Sequence, residues 1–140
     1  MKIFVVTSTQ FYSEVSKVEK ILKEKGHSIV YPNGYNDEEF NKKFKNLNPE
    51  EILKFKADLI RLSENKVKNV DAVLVLNYDK IKNNVVFKNY IGGATFLEIY
   101  NAFRLNKKIF FINEIPDGII KDELEAFEPT IINENFDMYF

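Results

Sequence analysis

The chain has 140 residues, with 20 Lys and Arg against 21 Asp and Glu. This length predicts a single domain spanning 1–140, and the near-zero net charge gives no reason to expect a nucleic acid or an anionic membrane as partner. The absence of Cys and the single His exclude disulfides, thiolate metal sites and multi-His metal sites. We expect neither a metal nor a cofactor. The apolar run near the N-terminus is too short for a signal peptide or a membrane span, which predicts a cytoplasmic protein.

Apolar periodicity predicts strands that alternate with helices along the chain. In order, we predict strand 2–7, helix 11–25, strand 28–32, helix 49–68, strand 71–77, helix 93–106, strand 109–112, a short helix 121–127 and strand 130–132. For helix 49–68, Asn48 is the expected cap and the inward residues are expected to be Ile52, Phe55, Leu59, Ile60 and Leu62. Residues 35–46 are polar and fit either a short helix or a mobile excursion. Residues 78–91 are expected to be a long loop, and such loops are usually functional or disordered.

This alternation predicts an α/β fold: a three-layer, doubly wound sheet of about five mostly parallel strands flanked by helices, similar to flavodoxin or Rossmann folds. Ligands of such sheets bind beyond the carboxyl ends of the strands, near the point where the strand order reverses. The candidate binding residues that follow predicted strands are Thr7, Ser8, Asn77, Tyr78 and Asp79.

Residues 89–103 contain the most informative pattern, a Gly-Gly pair followed by a helix with one carboxylate. Backbone N–H groups at Gly92 and Gly93, and at Thr95, can face a phosphate or a sugar oxygen at the helix start. Glu98 can point into the same crevice and attack an electrophilic sugar carbon, as in a retaining glycosidase. The alternative is a capping box, in which Thr95 is the cap and Glu98 only satisfies backbone N–H groups.

Residues 71–117 resemble the nucleoside 2-deoxyribosyltransferase-like family, which includes deoxynucleoside 5'-monophosphate N-glycosidases. The features of this resemblance are Asp71 at the start of an apolar strand, the pair Ala94-Thr95, Glu98 three positions later, and Lys107-Lys108 before the next strand. Residues 3–8 are similar to the opening strand and sugar-contacting loop of the family.

The resemblance implies an enzyme that cleaves or transfers the N-glycosidic bond of a small-molecule nucleoside or nucleotide. Glu98 then occupies the nucleophile position, residues 92–95 with Thr7 and Ser8 hold the sugar or a 5'-phosphate, and Tyr78 or Tyr90 stacks on the base. Gly92 stands where the enzymes often have an Asp, and Tyr100 stands where a Gly is common. These differences leave open a non-catalytic nucleotide-binding module of the same fold, and a dimeric scaffold is a third interpretation.

The helix at 93–106 is apolar around most of its circumference. A helix of this kind is buried on more than one side, whereas a small α/β domain usually leaves one helix face in water. We therefore expect this helix to pack against a second subunit, giving a homodimer or a higher homo-oligomer.

Overall fold

The computed structural model of the protein describes residues 1–140 and contains seven strands and six α-helices. In chain order these are β1 Lys2–Val6, α1 Tyr12–Glu24, β2 Ser28–Val30, α2 Glu38–Lys45, α3 Pro49–Lys68, β3 Ala72–Val75, β4 Lys80–Lys82, β5 Val85–Phe87, α4 Gly93–Arg104, β6 Lys108–Phe111, α5 Lys121–Ala126, β7 Thr130–Ile131 and α6 Phe136–Tyr139. A 3-10 turn, Thr9–Phe11, links β1 to α1. The helices lack the combination of length and apolar character needed to cross a membrane.

Five strands form one sheet in the order β2-β1-β3-β6-β7, and every neighbouring pair is parallel. The chain builds outward from β1 to β2 and then returns to place β3 on the other side of β1. The strand order therefore reverses between β1 and β3, which is where a crevice opens in doubly wound sheets. The predicted fold class is confirmed.

Alternate residues of each central strand pack into two separate cores, one on each face of the sheet. Ile3 and Val5 of β1 pack with Leu22 of α1. Phe4 and Val6 face the opposite way and pack with residues of α3 and α4, including Val67 and Ile99. Because both faces are covered, the strands are apolar without alternation, as is typical of parallel sheets.

Helix α3 begins as the sequence predicts, and three of its five expected inward residues, Ile52, Phe55 and Leu59, are half-buried. Asn48 accepts a hydrogen bond from the Glu51 N–H at 2.9 Å, and the Glu51 side chain accepts from the Asn48 N–H at 3.2 Å. The prediction that Ile60 and Leu62 point inward is wrong, since they are 48% and 45% exposed. The fully buried residues are Ser63 and Val67, four positions apart on the stripe that faces the sheet.

The segments left uncertain by sequence both have regular structure. The predicted loop at 78–91 contains the antiparallel hairpin β4-β5, whose turn residues Asn83 and Asn84 have φ of 52° and 62°. Positive φ at both central residues is typical of a type I′ turn, and Asn tolerates it. The polar segment before α3 contains α2, capped by Asp37, which accepts from the Phe40 N–H at 3.0 Å.

Candidate active site

A cavity of about 640 Å³ opens beside the carboxyl ends of β1 and β2, next to the reversal of strand order. Its floor includes residues 7–9, which follow β1, and Asn33, which follows β2. One wall is formed by the first two turns of α4, and the opposite wall by α2 and α3. The cavity is therefore assembled from five segments that are distant in sequence.

Six of the candidate residues chosen from the sequence line this cavity: Thr7, Ser8, Gly92, Gly93, Thr95 and Glu98. Asn77, Tyr78 and Asp79 do not line it. The structure thus brings the loop after β1 and the start of α4 together, and it places the residues after β3 elsewhere.

The start of α4 leaves backbone N–H groups available at the cavity. Gly92 is the cap and has no side chain to satisfy them, and the first hydrogen bond of the helix runs from the Phe96 N–H to Gly92 O at 2.9 Å. The N–H groups of residues 93–95 therefore have no partner within the helix. They add to the partial positive charge that a helix N-terminus presents to an anion or a sugar oxygen.

The capping-box interpretation of Thr95 and Glu98 is wrong. The helix begins at Gly93, so Thr95 is its third residue rather than its cap, and no side chain caps this end. Glu98 lies in the second turn, where the backbone N–H groups already bond within the helix. Its carboxyl group therefore needs another explanation.

The Glu98 carboxyl group lies between α4 and α3 and accepts one hydrogen bond from protein, from Ser63 Oγ at 3.5 Å. Burial raises its pKa from 4.5 to about 8, while the positive charge of Lys66 and the Ser63 hydrogen bond act in the opposite direction. Tyr12 lies close to the same group, and burial together with the Glu98 charge raises the Tyr12 pKa to about 12. A carboxyl group with such a perturbed pKa in a cavity is typical of functional sites.

Thr7 and Ser8 each have a local structural contact in addition to their place in the cavity. Thr7 Oγ1 donates to Leu76 O at 2.9 Å and so ties the end of β1 to the end of β3. Ser8 Oγ accepts from the Gln10 N–H at 3.4 Å and caps the 3-10 turn. Both hydroxyl groups are thereby held at the cavity floor.

The residues after β3 connect backbone segments. Asn77 is fully buried and exchanges hydrogen bonds with Asn113, accepting from its N–H at 2.9 Å and donating to its carbonyl at 3.0 Å. Tyr78 packs edge-on against Phe11, with ring centroids 5.7 Å apart. Asp79 accepts from the Asn89 N–H at 2.9 Å and closes the base of the hairpin.

Four residues near Glu98 are not among the site residues that the sequence predicts: Tyr12, Asn33, Ser63 and Lys66. The sequence contains a signal for two of these residues. Asn33 is a polar residue that follows a strand, as Thr7 and Ser8 do. Ser63 lies four residues from both Leu59 and Val67, which places a hydroxyl on an otherwise apolar stripe of α3.

No protein-family model matches the sequence, and no curated protein sequence matches it. Solved structures do match. A 2-deoxyribosyltransferase from Bacillus psychrosaccharolyticus superposes with a TM-score of 0.52 at 16% identity, over 94% of this chain and 98% of that one. A CMP N-glycosidase from Clostridium botulinum superposes with a TM-score of 0.49 at 16% identity, over 94% of this chain and 85% of that one. The α/β fold implied by the sequence resemblance is therefore confirmed: over nearly its whole length, the chain shares the fold of the 2-deoxyribosyltransferase.

Proposed function

We propose that the protein cleaves or transfers the N-glycosidic bond of a nucleoside or nucleotide, with Glu98 as the nucleophile. The observation that supports this most strongly is the position of Glu98. Its carboxyl group faces a cavity at the reversal of strand order, has no capping role, and shares that cavity with the free N–H groups at the start of α4. The fold shared with a 2-deoxyribosyltransferase and the sequence resemblance agree with the same chemistry.

In this proposal, the sugar lies between Glu98 and the start of α4. The N–H groups of residues 93–95 and the hydroxyl group of Ser8 donate to the sugar oxygens or a 5'-phosphate, and the Thr7 hydroxyl oxygen accepts from a hydroxyl group of the sugar. The Glu98 carboxylate attacks C1', the bond from C1' to the base nitrogen breaks, and the base leaves with the electron pair and takes up a proton. Water or a second base then attacks C1' and releases Glu98, which gives hydrolysis or transfer.

The nucleobase, in turn, lies on the apolar side of the cavity. Phe40 and Phe44 of α2, together with Leu59 and Ile60 of α3, line that side. Phe40 and Phe44 are held by Phe55, with ring centroids 5.1 Å and 5.8 Å apart. Tyr78 and Tyr90, the aromatic residues suggested by the sequence, lie outside the cavity lining, so we assign the stacking role to the α2 aromatic residues.

The second candidate function is a nucleotide-binding module without turnover. The observation that favours it is the burial of the Glu98 carboxyl group between α3 and α4 with one hydrogen bond from protein, because this burial raises its pKa to about 8 and favours the protonated form at neutral pH. A protonated carboxyl group donates a hydrogen bond to a bound ligand but is a poor nucleophile. Gly92 is consistent with this candidate, because it offers no acid to protonate a departing base.

We also propose that the protein forms a homodimer through α4. Leu97, Tyr100 and Phe103 are 40%, 45% and 46% exposed in the single chain, although they belong to a predominantly apolar helix. Exposed apolar side chains grouped on one helix face mark interaction surfaces, and two-fold symmetry is the commonest arrangement. The face borders the cavity, since Leu97 lies in both.

Turnover assays test the proposed enzyme function. The purified protein is incubated with deoxynucleosides and their monophosphates, with and without an acceptor base, and free base is measured by chromatography. We expect base release or exchange that is lost in Glu98→Ala and kept in Glu50→Gln, which changes an exposed carboxylate in the first turn of α3. Ligand binding without base release across the panel would favour the binding module, and full activity in Glu98→Ala would refute Glu98 as nucleophile.

A further inference from the structure

Four polar side chains from three parts of the chain form one continuous series of hydrogen bonds that ends on Glu98. Lys66 Nζ donates to Asn33 Oδ1 at 2.6 Å, Asn33 Nδ2 donates to Ser63 Oγ at 2.7 Å, and Ser63 Oγ donates to Glu98 Oε1 at 3.5 Å. Each donor in the series points towards Glu98. Hydrogen bonds aligned in this way polarise one another, and here the positive charge is at the far end, which favours a carboxylate over a carboxylic acid.

Lys66, the first donor of the series, is held in place by two neutral groups. Lys66 Nζ also donates to Tyr31 O at 2.9 Å and lies 5.5 Å from the centroid of the Phe4 ring. It makes no direct ion pair. A half-buried ammonium group of this kind is costly without an opposite charge nearby, and Glu98 is the carboxyl group whose charge opposes the lowering of the Lys66 pKa by burial.

Asn33 is the link between the strand edge and α3. Its own carbonyl accepts from Tyr12 OH at 2.6 Å, and its side-chain amide bonds both Lys66 and Ser63. Lys66 and Ser63 lie one turn apart on α3, so they face the same side of the helix. The orientation of the amide is therefore set at both ends, with the oxygen towards the ammonium group and the nitrogen towards the hydroxyl group.

We propose that Lys66, Asn33 and Ser63 act together as positioning residues that hold Oε1 of Glu98 and favour its charged, attacking form over the protonated form. This inference rests on the proposed function of Glu98 as nucleophile. Glu98 accepts no other hydrogen bond from protein, so Oε2 is left for the sugar carbon. The 3.5 Å contact is long, and such contacts often shorten when a substrate is bound.

Three side chains on neighbouring helices interact with the Glu98 carboxyl group. Lys66 and Ser63 face it from α3, and Tyr12 faces it from α1. Tyr12 stays neutral over the working range, because its pKa is raised to about 12. Lys56 of α3 lines the same cavity but is exposed. Of these, Lys66 and Ser63 favour the carboxylate directly.

The test is a titration of Glu98 followed by NMR, using protein labelled with ¹³C at the glutamate carboxyl carbon and assigned with Glu98→Gln. We expect a midpoint near 8 in the unaltered protein and an upward shift of about one unit in Lys66→Met and in Ser63→Ala. Lys54→Met, which removes an exposed lysine from the same helix, is the matched control and should leave the midpoint unchanged. Ser63→Thr keeps a hydroxyl group at this position, so its midpoint should lie closer to that of the unaltered protein than the midpoint of Ser63→Ala does.

The titration tests the role of Lys66, Asn33 and Ser63 independently of whether the protein turns over a nucleoside. The titration requires no substrate. An upward shift of the Glu98 midpoint in both variants therefore supports the role of the hydrogen-bonded series even if no nucleoside is turned over. An unchanged midpoint in folded Lys66→Met and Ser63→Ala overturns it even if the enzyme is active. In an active enzyme, the midpoint of the kcat/KM profile should move upward with the titration, whereas a merely structural role would lower stability and leave the profile in place.

Discussion

Replacing Glu98 by Gln should stabilise the protein, and the gain should grow as the pH rises. The folded state raises the pKa of Glu98 from 4.5 to about 8, so it binds this proton more strongly than the unfolded chain does. Between these two values unfolding releases the proton, and the stability of the folded state falls as the pH increases. Gln has nearly the same shape, has no charge to bury, and can still accept from Ser63 through its amide oxygen.

The size of the effect follows from the two pKa values. Each unit of difference corresponds to about 1.4 kcal/mol, so Glu98 lowers the free energy of unfolding, relative to a side chain that stays neutral, by about 1 kcal/mol near pH 5 and about 5 kcal/mol near pH 9. Urea unfolding of the unaltered protein and Glu98→Gln at several pH values measures the difference in free energy of unfolding. Titrating groups that do not interact with Glu98 are common to both proteins and cancel in that difference.

Glu50→Gln is the control, since Glu50 is exposed in the first turn of α3. It should show little change in stability with pH relative to the unaltered protein. A Glu98→Gln difference that stays constant from pH 5 to pH 9, or that favours the unaltered protein at high pH, would refute the buried and neutral state of Glu98. A gain in stability together with a loss of activity is the usual relation at a catalytic group.

Three further predictions concern the pH profile, the strand ends and the α4 surface. If Glu98 must be ionised to attack C1', then kcat/KM for base release should rise with pH towards a plateau above the midpoint of about 8, and a profile that falls over this range would contradict the nucleophile role. Asn77→Ala should lower the free energy of unfolding, measured in urea, by roughly 2–4 kcal/mol, because it leaves buried backbone groups of Asn113 and Glu114 without partners. Since Asn77 lies outside the cavity, this variant should leave KM nearly unchanged. Tyr100→Arg should convert a dimer into a monomer in light scattering after size-exclusion chromatography, and a monomeric unaltered protein would refute the α4 interface.

The sequence was sufficient to predict the fold because the signals are local. Apolar runs such as residues 3–6 and 72–75 and the cap at Asn48 each identify an element from a few neighbouring residues. The alternation of these elements then leaves few topologies for the sheet. The hairpin at β4-β5 was missed because its turn is made by Asn83 and Asn84, a less familiar signal than a turn containing Gly.

The candidate site could be predicted only where its residues are close in sequence. Glu98 and residues 93–95 lie within α4 and Gly92 is its cap, so their common location follows from the sequence. Asn33, Ser63 and Lys66 meet Glu98 only after β2, α3 and α4 have packed, and no local pattern specifies that meeting. The position of Asn77 at the end of β3 is likewise visible in the sequence, but whether its amide faces a cavity or the neighbouring strand is decided by packing.

Mass spectrometry of a trapped intermediate can show whether Glu98 becomes covalently bound to the sugar. Fluorine at C2' of the sugar destabilises the positive charge that develops at C1' in both steps, so the ester between Glu98 and the sugar accumulates when its breakdown is slower than its formation. After incubation and acid quenching, we expect the intact mass of the unaltered protein to increase by the mass of the fluorosugar, with the modification on the peptide that contains Glu98. We expect no increase in mass for Glu98→Gln. Base release with no adduct, or an adduct on another residue, would contradict this role of Glu98.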